Sequence, residues 1–384
     1  MHHPSQRWDI FCSVVDNYGD AGIAWRLARM LACEYGLPVR LYVDALPTLA
    51  RLVPSIDPAR DRQSAAGVEV CVWTGPRADL SAQPGAVVIE AFGCGLADSY
   101  LQAMAARERP PVWINLEYLS AERWIEDCHG LASRHPTLLL TRHFFFPGFT
   151  PSSGGLLREG DLLARRNRFR ADTALTAALW REIGVARPPP EILLVSLFCY
   201  PSAPVPELLD AWTAGDTPIH CLVAQAVAES SLDRWRKGTL LRPGERLISG
   251  ALTLVGLPFV TQDDYDRVLW ACEINFVRGE DSFVRAQWAA RPLAWNVYPQ
   301  TEDAHRLKLE AFLDRYCAGM PRDVESAFRA FSRAWNGEGD VRGTWPGFAN
   351  ALAVSTRHAD AWAEALARQC ELAGALVKFC LDRL

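Results

Sequence analysis

The chain has 384 residues, 49% hydrophobic and 22% charged. That balance excludes a disordered or fibrous chain, and the length suits two domains of roughly 150–200 residues each. Lys plus Arg number 40 against 45 Asp plus Glu, a formal net charge of −5, whereas a non-specific nucleic-acid binder carries a basic surplus. No apolar stretch follows a basic start in residues 1–13, so no signal peptide is expected. No run of about 18 apolar residues marks a membrane span. The 11 cysteines are odd in number and scattered, with no CxxC pair. They read as reduced thiols of a cytoplasmic protein.

Residues 8–15 (WDIFCSVV) form a short apolar run expected as a buried strand. Residues 16–22 (DNYGDAG) carry turn chemistry. Residues 23–35 are expected as a helix with Ile23, Leu27, Met30 and Leu31 on its apolar stripe and Arg26 and Arg29 off it, stopped by Gly36. A second strand follows at 37–43. This β-loop-α-β opening predicts a parallel sheet with crossover helices. Further strands are expected at 68–73, 86–92, 112–116 and 137–140, with helices at 96–107 and 171–183. A Gly- and Ser-rich loop occupies 148–160.

The stretch 184–191 (GVARPPPE) holds three consecutive prolines and reads as a stiff linker. The alternation then restarts, with strands expected at 192–198, 218–224, 252–259, 273–277 and 293–298 and helices at 264–271 and 282–290. A mostly helical tail runs from about 302, broken near 336–346. The expected division is therefore 1–184, a linker at 185–191, 192–355, and a helical tail at 356–384. The architecture expected is α/β, two facing Rossmann-like domains. Ligands of such sheets bind at the carboxyl ends of the strands, and two polar clusters lie there.

The first cluster is Asp16-Asn17-Tyr18-Gly19-Asp20, directly after the first strand. Two readings stand. Asp20 caps the helix while Asp16 makes a turn, or the two carboxylates pair at the mouth of a cleft, as a base or as a seat for a cationic acceptor. The loop lacks G-x-G-x-x-G, which argues against a dehydrogenase. The second cluster is Arg278-Gly279-Glu280-Asp281-Ser282-Phe283. It is either an ordinary acidic helix start or a phosphate cradle, with Gly279 admitting close approach, backbone amides at a helix N-terminus and Arg278 neutralising charge. Glu280 and Asp281 would then hold sugar hydroxyls or a cationic acceptor. Phe198 and Tyr200 could stack on a base, and Gln262 and Tyr265 could read its edge. Gly93-Cys94-Gly95 reads as a plain turn or a ligand-side loop. No HxH or HxxxH pair suggests a metal site, and neither a G-x-S-x-G elbow nor a P-loop is present.

Residues 9–29 (DIFCSVVDNYGDAGIAWRLAR) and 278–305 (RGEDSFVRAQWAARPLAWNVYPQTEDAH) resemble the bacterial protein-arginine rhamnosyltransferases that modify elongation factor P, the EarP family. Residues 114–122 (INLEYLSAE), 147–159 (PGFTPSSGGLLRE) and 257–266 (LPFVTQDDYD) resemble it too, in the same order. The resemblance implies a GT-B glycosyltransferase fold and inverting transfer of L-rhamnose from dTDP-β-L-rhamnose to one arginine of elongation factor P. It implies no metal or other cofactor; from the charge, the lack of an apolar span and the scattered cysteines, no nucleic-acid or membrane partner and a cytoplasmic location are expected. A monomer is expected, since one site per chain suffices. By motif, Asp20 would be the general base, with Asp16 and Glu280 supporting the acceptor. Phe198, Tyr200, Gln262 and Tyr265 would surround the thymine. Arg278, Gly279, Glu280, Asp281 and Ser282 would surround the diphosphate and sugars, and Asn17, Tyr18 and Gly19 would also touch the donor. Tyr18 and Tyr265 stand where the family has phenylalanine, and Cys199 where it has glycine. The competing functions are a GT-B transferase with another donor or a small-molecule acceptor, and a non-catalytic nucleotide-sugar-binding protein.

Overall fold

The computed structural model describes residues 6–16, 18–77, 80, 83–300 and 304–384. Contacts divide the chain into two units, Met1–Gly160 with Ala367–Leu384, and Asp161–Leu366.

The first unit is built on a sheet of eight strands among the described residues. They are β1 Trp8–Cys12, β2 Val39–Val43, β3 Arg62–Ala65, β4 Val68–Val72, β5 Val87–Ala91, β6 Val112–Leu116, β7 Ala132–Arg134 and β8 Thr141–Phe145, in the order β3-β4-β2-β1-β5-β6-β8-β7. All neighbours are parallel except the edge pairs β3·β4 and β7·β8. β1, β2, β5 and β6 are buried along their whole length, as the near-continuous apolar runs of a doubly covered parallel sheet require. One charge interrupts β1. Asp9 is fully buried and takes both Nε (3.0 Å) and Nη2 (2.9 Å) of Arg40, as well as the Gly85 N–H at 2.6 Å. A carboxylate tolerates burial only with such partners.

The crossovers of this unit are α1 Tyr18–Cys33, α2 Leu46–Leu52, α3 Asp98–Ala105 and α4 Trp124–Cys128. The core joins Ile10 of β1, Ile89 of β5, Ile114 of β6, and Leu27 and Leu31 of α1. It also takes in the end of the chain.

The second unit opens with α5 Leu162–Ala171 and α6 Thr173–Glu182. Six strands follow among the described residues: β9 Leu193–Leu197, β10 Ile219–Ala224, β11 Arg246–Ser249, β12 Leu252–Leu257, β13 Ile274–Arg278 and β14 Leu293–Asn296. Their order is β11-β12-β10-β9-β13-β14, with only β11·β12 antiparallel. The helices between and after them are α7 Val205–Ala214, α8 Gln225–Ser230, α9 Leu232–Trp235, α10 Gln262–Ala271, α11 Asp281–Ala289, α12 Ala304–Tyr316, α13 Arg322–Trp335, α14 Val341–Asn350 and α15 Leu352–Ala367. The last helix, α16 Leu372–Leu381, belongs to the first unit.

Four expectations need correction. The contacts divide at residue 160, not at 184–191. α5 goes with the second unit because Phe169 packs edge-on against Trp270 (5.7 Å between ring centres) and Arg166 donates to the Trp288 carbonyl at 2.8 Å, and α6 because Arg267 of α10 donates to Glu182 at 2.6 Å. The tail at 356–384 is not one piece. Leu372, Ala373, Leu376, Val377 and Cys380 complete the first unit's core, and the 148–160 loop receives them, with the Leu372 N–H on the Leu156 carbonyl at 3.1 Å. The strand expected at 137–140 is a turn, in which the His135 N–H reaches the Leu140 carbonyl at 2.9 Å and Leu139 is 92% exposed. The strand itself is β8, immediately after. Finally, Arg26 is fully buried, not off the apolar stripe, because its Nη1 meets Glu159 Oε1 at 3.1 Å. Among the described residues no helix is long and apolar enough to cross a membrane, and all eleven cysteines are free.

Leu376 has no exposure, so Leu376→Ala should cost about 2–5 kcal/mol, read as earlier unfolding of the first unit in urea. His220 lies buried on β10, where burial and then Arg246 pull its pKa from 6.5 to about 4. The unfolded chain therefore binds the proton first as pH falls through about 6.5, and stability drops until the folded imidazole also titrates. The second unit should melt about 5 °C lower at pH 5 than at pH 7 from this group alone. Calorimetry on His220→Phe should show that difference reduced.

Candidate active site

In the first unit the residues of interest follow β1. The chain leaves the sheet at Cys12 and turns through residues 13–16 into α1. Asp44, after β2, holds one side of this turn: its carboxylate accepts the Ser13 hydroxyl, and the Val14 N–H at 2.9 Å. Asp20 holds the other. Its Oδ2 accepts the N–H groups of Val15 and Asp16, both at 2.8 Å, and the residue is 2% exposed. Asp20 is thus not the cap residue. It is the third residue of α1, and its side chain reaches back to two successive amides, a nest of the kind that seats anions.

Asp16 is half-buried and lies over Gly19. The Gly19 N–H donates to the Asp16 carbonyl at 2.8 Å, and a Cβ at Gly19 would come within 3.1 Å of Asp16 Oδ2. A side chain here would press on the Asp16 carboxylate, which would have to shift by a few tenths of an ångström. Tyr18 is half-buried, with the Arg51 guanidinium 5.5 Å from its ring centre. Asn17 lies outside the described residues. The turn thus brings Asp16, Tyr18, Gly19 and Asp20 together at the carboxyl end of β1. The Cys12 thiol at the end of β1 is buried, and its pKa is pushed up by burial and then by Asp20, Cys94 and Asp44.

Beside β1, the end of β5 is a tight turn. Phe92, Gly93 and Gly95 have φ of 59°, 62° and 76°. The turn is closed by Gly95 N–H on Glu90 Oε1 (2.9 Å) and Gly93 N–H on Asn115 Oδ1 (3.2 Å). These bonds account for Gly93-Cys94-Gly95 as a structural turn.

In the second unit the residues come from β9, α10 and the β13–α11 turn. The Arg278 guanidinium lies 4.6 Å from the Phe198 ring centre and 4.5 Å from that of Tyr200. A cation over an aromatic face is attracted by the ring quadrupole, and here two rings attract one guanidinium. Gly279 follows with φ 58°, and Trp295 Nε1–H fixes its carbonyl at 2.9 Å. Ser282 Oγ accepts the Arg278 N–H at 3.1 Å and donates to the Arg278 carbonyl, which tightens the turn. Glu280 stands at the N-cap of α11 but does not cap it with its side chain. Asp281 Oδ2 accepts Gln262 Nε2–H at 3.0 Å, joining the N-termini of α10 and α11. Tyr265 stands edge-on to Phe198 at 6.1 Å. Its hydroxyl is shielded and has no hydrogen-bond partner among the described residues, and burial raises its pKa. Cys199 is buried, its thiol pushed up to about 12 by desolvation. It is not among the residues with left-handed backbone, so cysteine fits where the family has glycine.

Sequence reasoning missed three supports. Tyr298 packs edge-on against Tyr200 at 5.4 Å and is 45% exposed. Asn296 Oδ1 takes the Tyr200 N–H at 2.9 Å. Trp295 stacks on Phe283 at 3.9 Å while holding Gly279. All three lie within 278–305, and their strand-end positions were the available signal. Among the described residues, no group of three or more His, Cys, Asp or Glu is placed to hold a metal ion.

Comparison with known proteins fits this arrangement. The model of the family described as "Elongation-Factor P (EF-P) rhamnosyltransferase EarP" matches residues 8–381. The protein-arginine rhamnosyltransferase of Pseudomonas aeruginosa is 47% identical over 377 residues, covering 98% of this chain and 99% of that protein. Its counterpart in Shewanella oneidensis is 38% identical over 387 residues, covering 98% of each. A solved structure described as "Structural basis for EarP-mediated arginine glycosylation of translation elongation factor EF-P" superposes with a TM-score of 0.71 at 36% identity, over 99% of this chain and 100% of that one. The spinosyn rhamnosyltransferase SpnG, at 13% identity, shares the fold alone, with a TM-score of 0.50 over 98% of this chain and 100% of that one. The two parallel-dominated sheets are those of the GT-B glycosyltransferase fold, and the chain belongs to the EarP family of elongation factor P rhamnosyltransferases.

Proposed function

We propose that this chain is a protein-arginine rhamnosyltransferase that moves L-rhamnose from dTDP-β-L-rhamnose to one arginine side chain of elongation factor P, with inversion at the anomeric carbon. The observation that carries the reading is Asp20, a buried carboxylate fixed by two backbone amides at the head of α1, in a chain of this family.

An arginine guanidinium is protonated at neutral pH, with a pKa above about 12, and is a poor nucleophile. Its transfer chemistry needs a group that takes a proton as the new bond forms. In the proposed step a guanidinium nitrogen attacks the anomeric carbon from the face opposite the phosphate. The carbon–oxygen bond breaks with its electron pair going to dTDP, and the nitrogen's proton passes to the Asp20 carboxylate. One base and one displacement suffice, with no covalent sugar–enzyme intermediate. Asp16 and Glu280 orient the planar fork, which pairs well with carboxylates.

Phe198, Tyr200, Gln262 and Tyr265 surround the thymine. Arg278 and the amides from Gly279 to Ser282 take the diphosphate, whose charge grows as it leaves. Glu280 and Asp281 hold sugar hydroxyls. The free cysteines suit a reducing cytoplasm. A monomer suffices, since one chain carries every group named.

Incubation with unmodified elongation factor P and dTDP-β-L-rhamnose should add one deoxyhexose to the acceptor's intact mass, mapped by fragmentation to a single arginine. No gain in mass while the donor still binds would redirect the search to another acceptor. Asp20→Asn should bind dTDP normally yet lose about a thousandfold in transfer rate; full turnover would remove Asp20 from the base role. Arg278→Lys keeps the charge but loses the flat guanidinium against two rings, and should raise the donor KM about tenfold in steady-state assays.

A further inference from the structure

Two residues inside the recognised motifs have no part in the chemistry above. Asp266, on α10, and Arg285, on α11, form an ion pair with both side chains 1% exposed. The contact is two-pronged: Arg285 Nε to Asp266 Oδ1 at 2.8 Å and Nη2 to Oδ2 at 2.6 Å.

The pair's position is informative. One turn nearer the helix N-termini, Gln262 donates to Asp281 at 3.0 Å. One turn nearer the C-termini, Arg170 of α5 donates to the carbonyls of Trp270 (Nε, 3.4 Å) and Ala289 (Nη2). The three polar rungs therefore join 262 to 281, 266 to 285 and 270 to 289, advancing four residues on each helix. α10 and α11 run side by side in strict register. A slip of one residue, about 1.5 Å, would break all three rungs together. Of the three, the middle one is least tolerant, because a guanidinium fork on a carboxylate fixes distance and plane at once.

Stability alone is a weak account of such a pair. Desolvation of two charges offsets much of their attraction, and well-packed apolar residues often replace a buried pair without loss. A positioning role gives it a specific use.

We propose that the Asp266–Arg285 pair is a positioning device for the donor site, holding Gln262 and Tyr265 on α10 at the correct spacing from the Arg278–Ser282 turn that opens α11. The inference rests on the reading of these elements as the nucleotide-sugar site. The pair touches no substrate; it acts through the helices.

Arg285→Lys tests this, since lysine keeps the charge and loses the fork. Calorimetry with dTDP should show a Kd about tenfold weaker, the size of one lost hydrogen bond. The donor KM should rise in parallel, the KM for elongation factor P should not change, and the near-UV circular dichroism should stay that of wild type. The double variant Asp266→Leu/Arg285→Met leaves no lone buried charge. It should melt like wild type yet show the same donor weakening, and it decides the case if Arg285→Lys does not fold. Wild-type dTDP affinity in the folded variants would overturn the proposal. Failure of the wild-type protein itself to bind dTDP would instead overturn the donor reading on which it rests.

Discussion

The carboxylate of Asp20 closes the turn that follows β1, and the local structure of the first unit is organised around that closure. Two successive amides converge on one oxygen, so the side chain is fixed by the backbone it terminates. Asp44 braces the far side of the same turn, and Gly19 leaves room for Asp16. A buried acceptor needs its hydrogen bonds supplied, and here the supply comes from within five residues of chain. The helix that carries Asp20 is anchored in turn. Arg26 and Arg29 both reach Glu159, and α16 returns from the end of the chain to pack in the same core.

The second unit places its charged groups by a different route. Arg278 is held against two aromatic rings, the turn behind it is tied by Ser282 and Trp295, and α10 and α11 are joined by a part-buried polar contact and a buried ion pair. Electrostatic catalysis depends on groups that need no rearrangement as charge develops. Two proposed donor-side groups here have a support with no evident chemistry of its own: Asn296 under Tyr200 and Trp295 under Gly279.

How much of this was legible in the sequence follows from burial. β1, β5, β6 and β9 are buried on both faces, so their apolar runs stand out. The edge strands β3 (RQSA), β7 (ASR) and β11 (RLIS) are short and partly exposed, and carry no such run. The triple leucine at 138–140 carries the signal without the strand, because Leu139 points to solvent. Three prolines at 188–190 suggested a domain boundary, but helix packing, not local stiffness, decides which unit α5 and α6 join. The two site clusters were legible because strand-end turns need Asp, Gly and Ser. The inner supports were not, since nothing in a sequence pairs Asp266 with Arg285 or Arg26 with Glu159 across many residues of chain.

In the proposed reaction, a carboxylate fixed at the head of one helix is the single base for a single displacement. That claim has a stereochemical consequence independent of rates and affinities. From the proposed β-linked donor, one backside displacement yields an α-linked rhamnose. NMR of the isolated rhamnosylated arginine peptide reads the anomeric configuration directly. The account predicts the α-anomer; a β-linked product would contradict it and would require a covalent or front-side route that Asp20 alone does not provide.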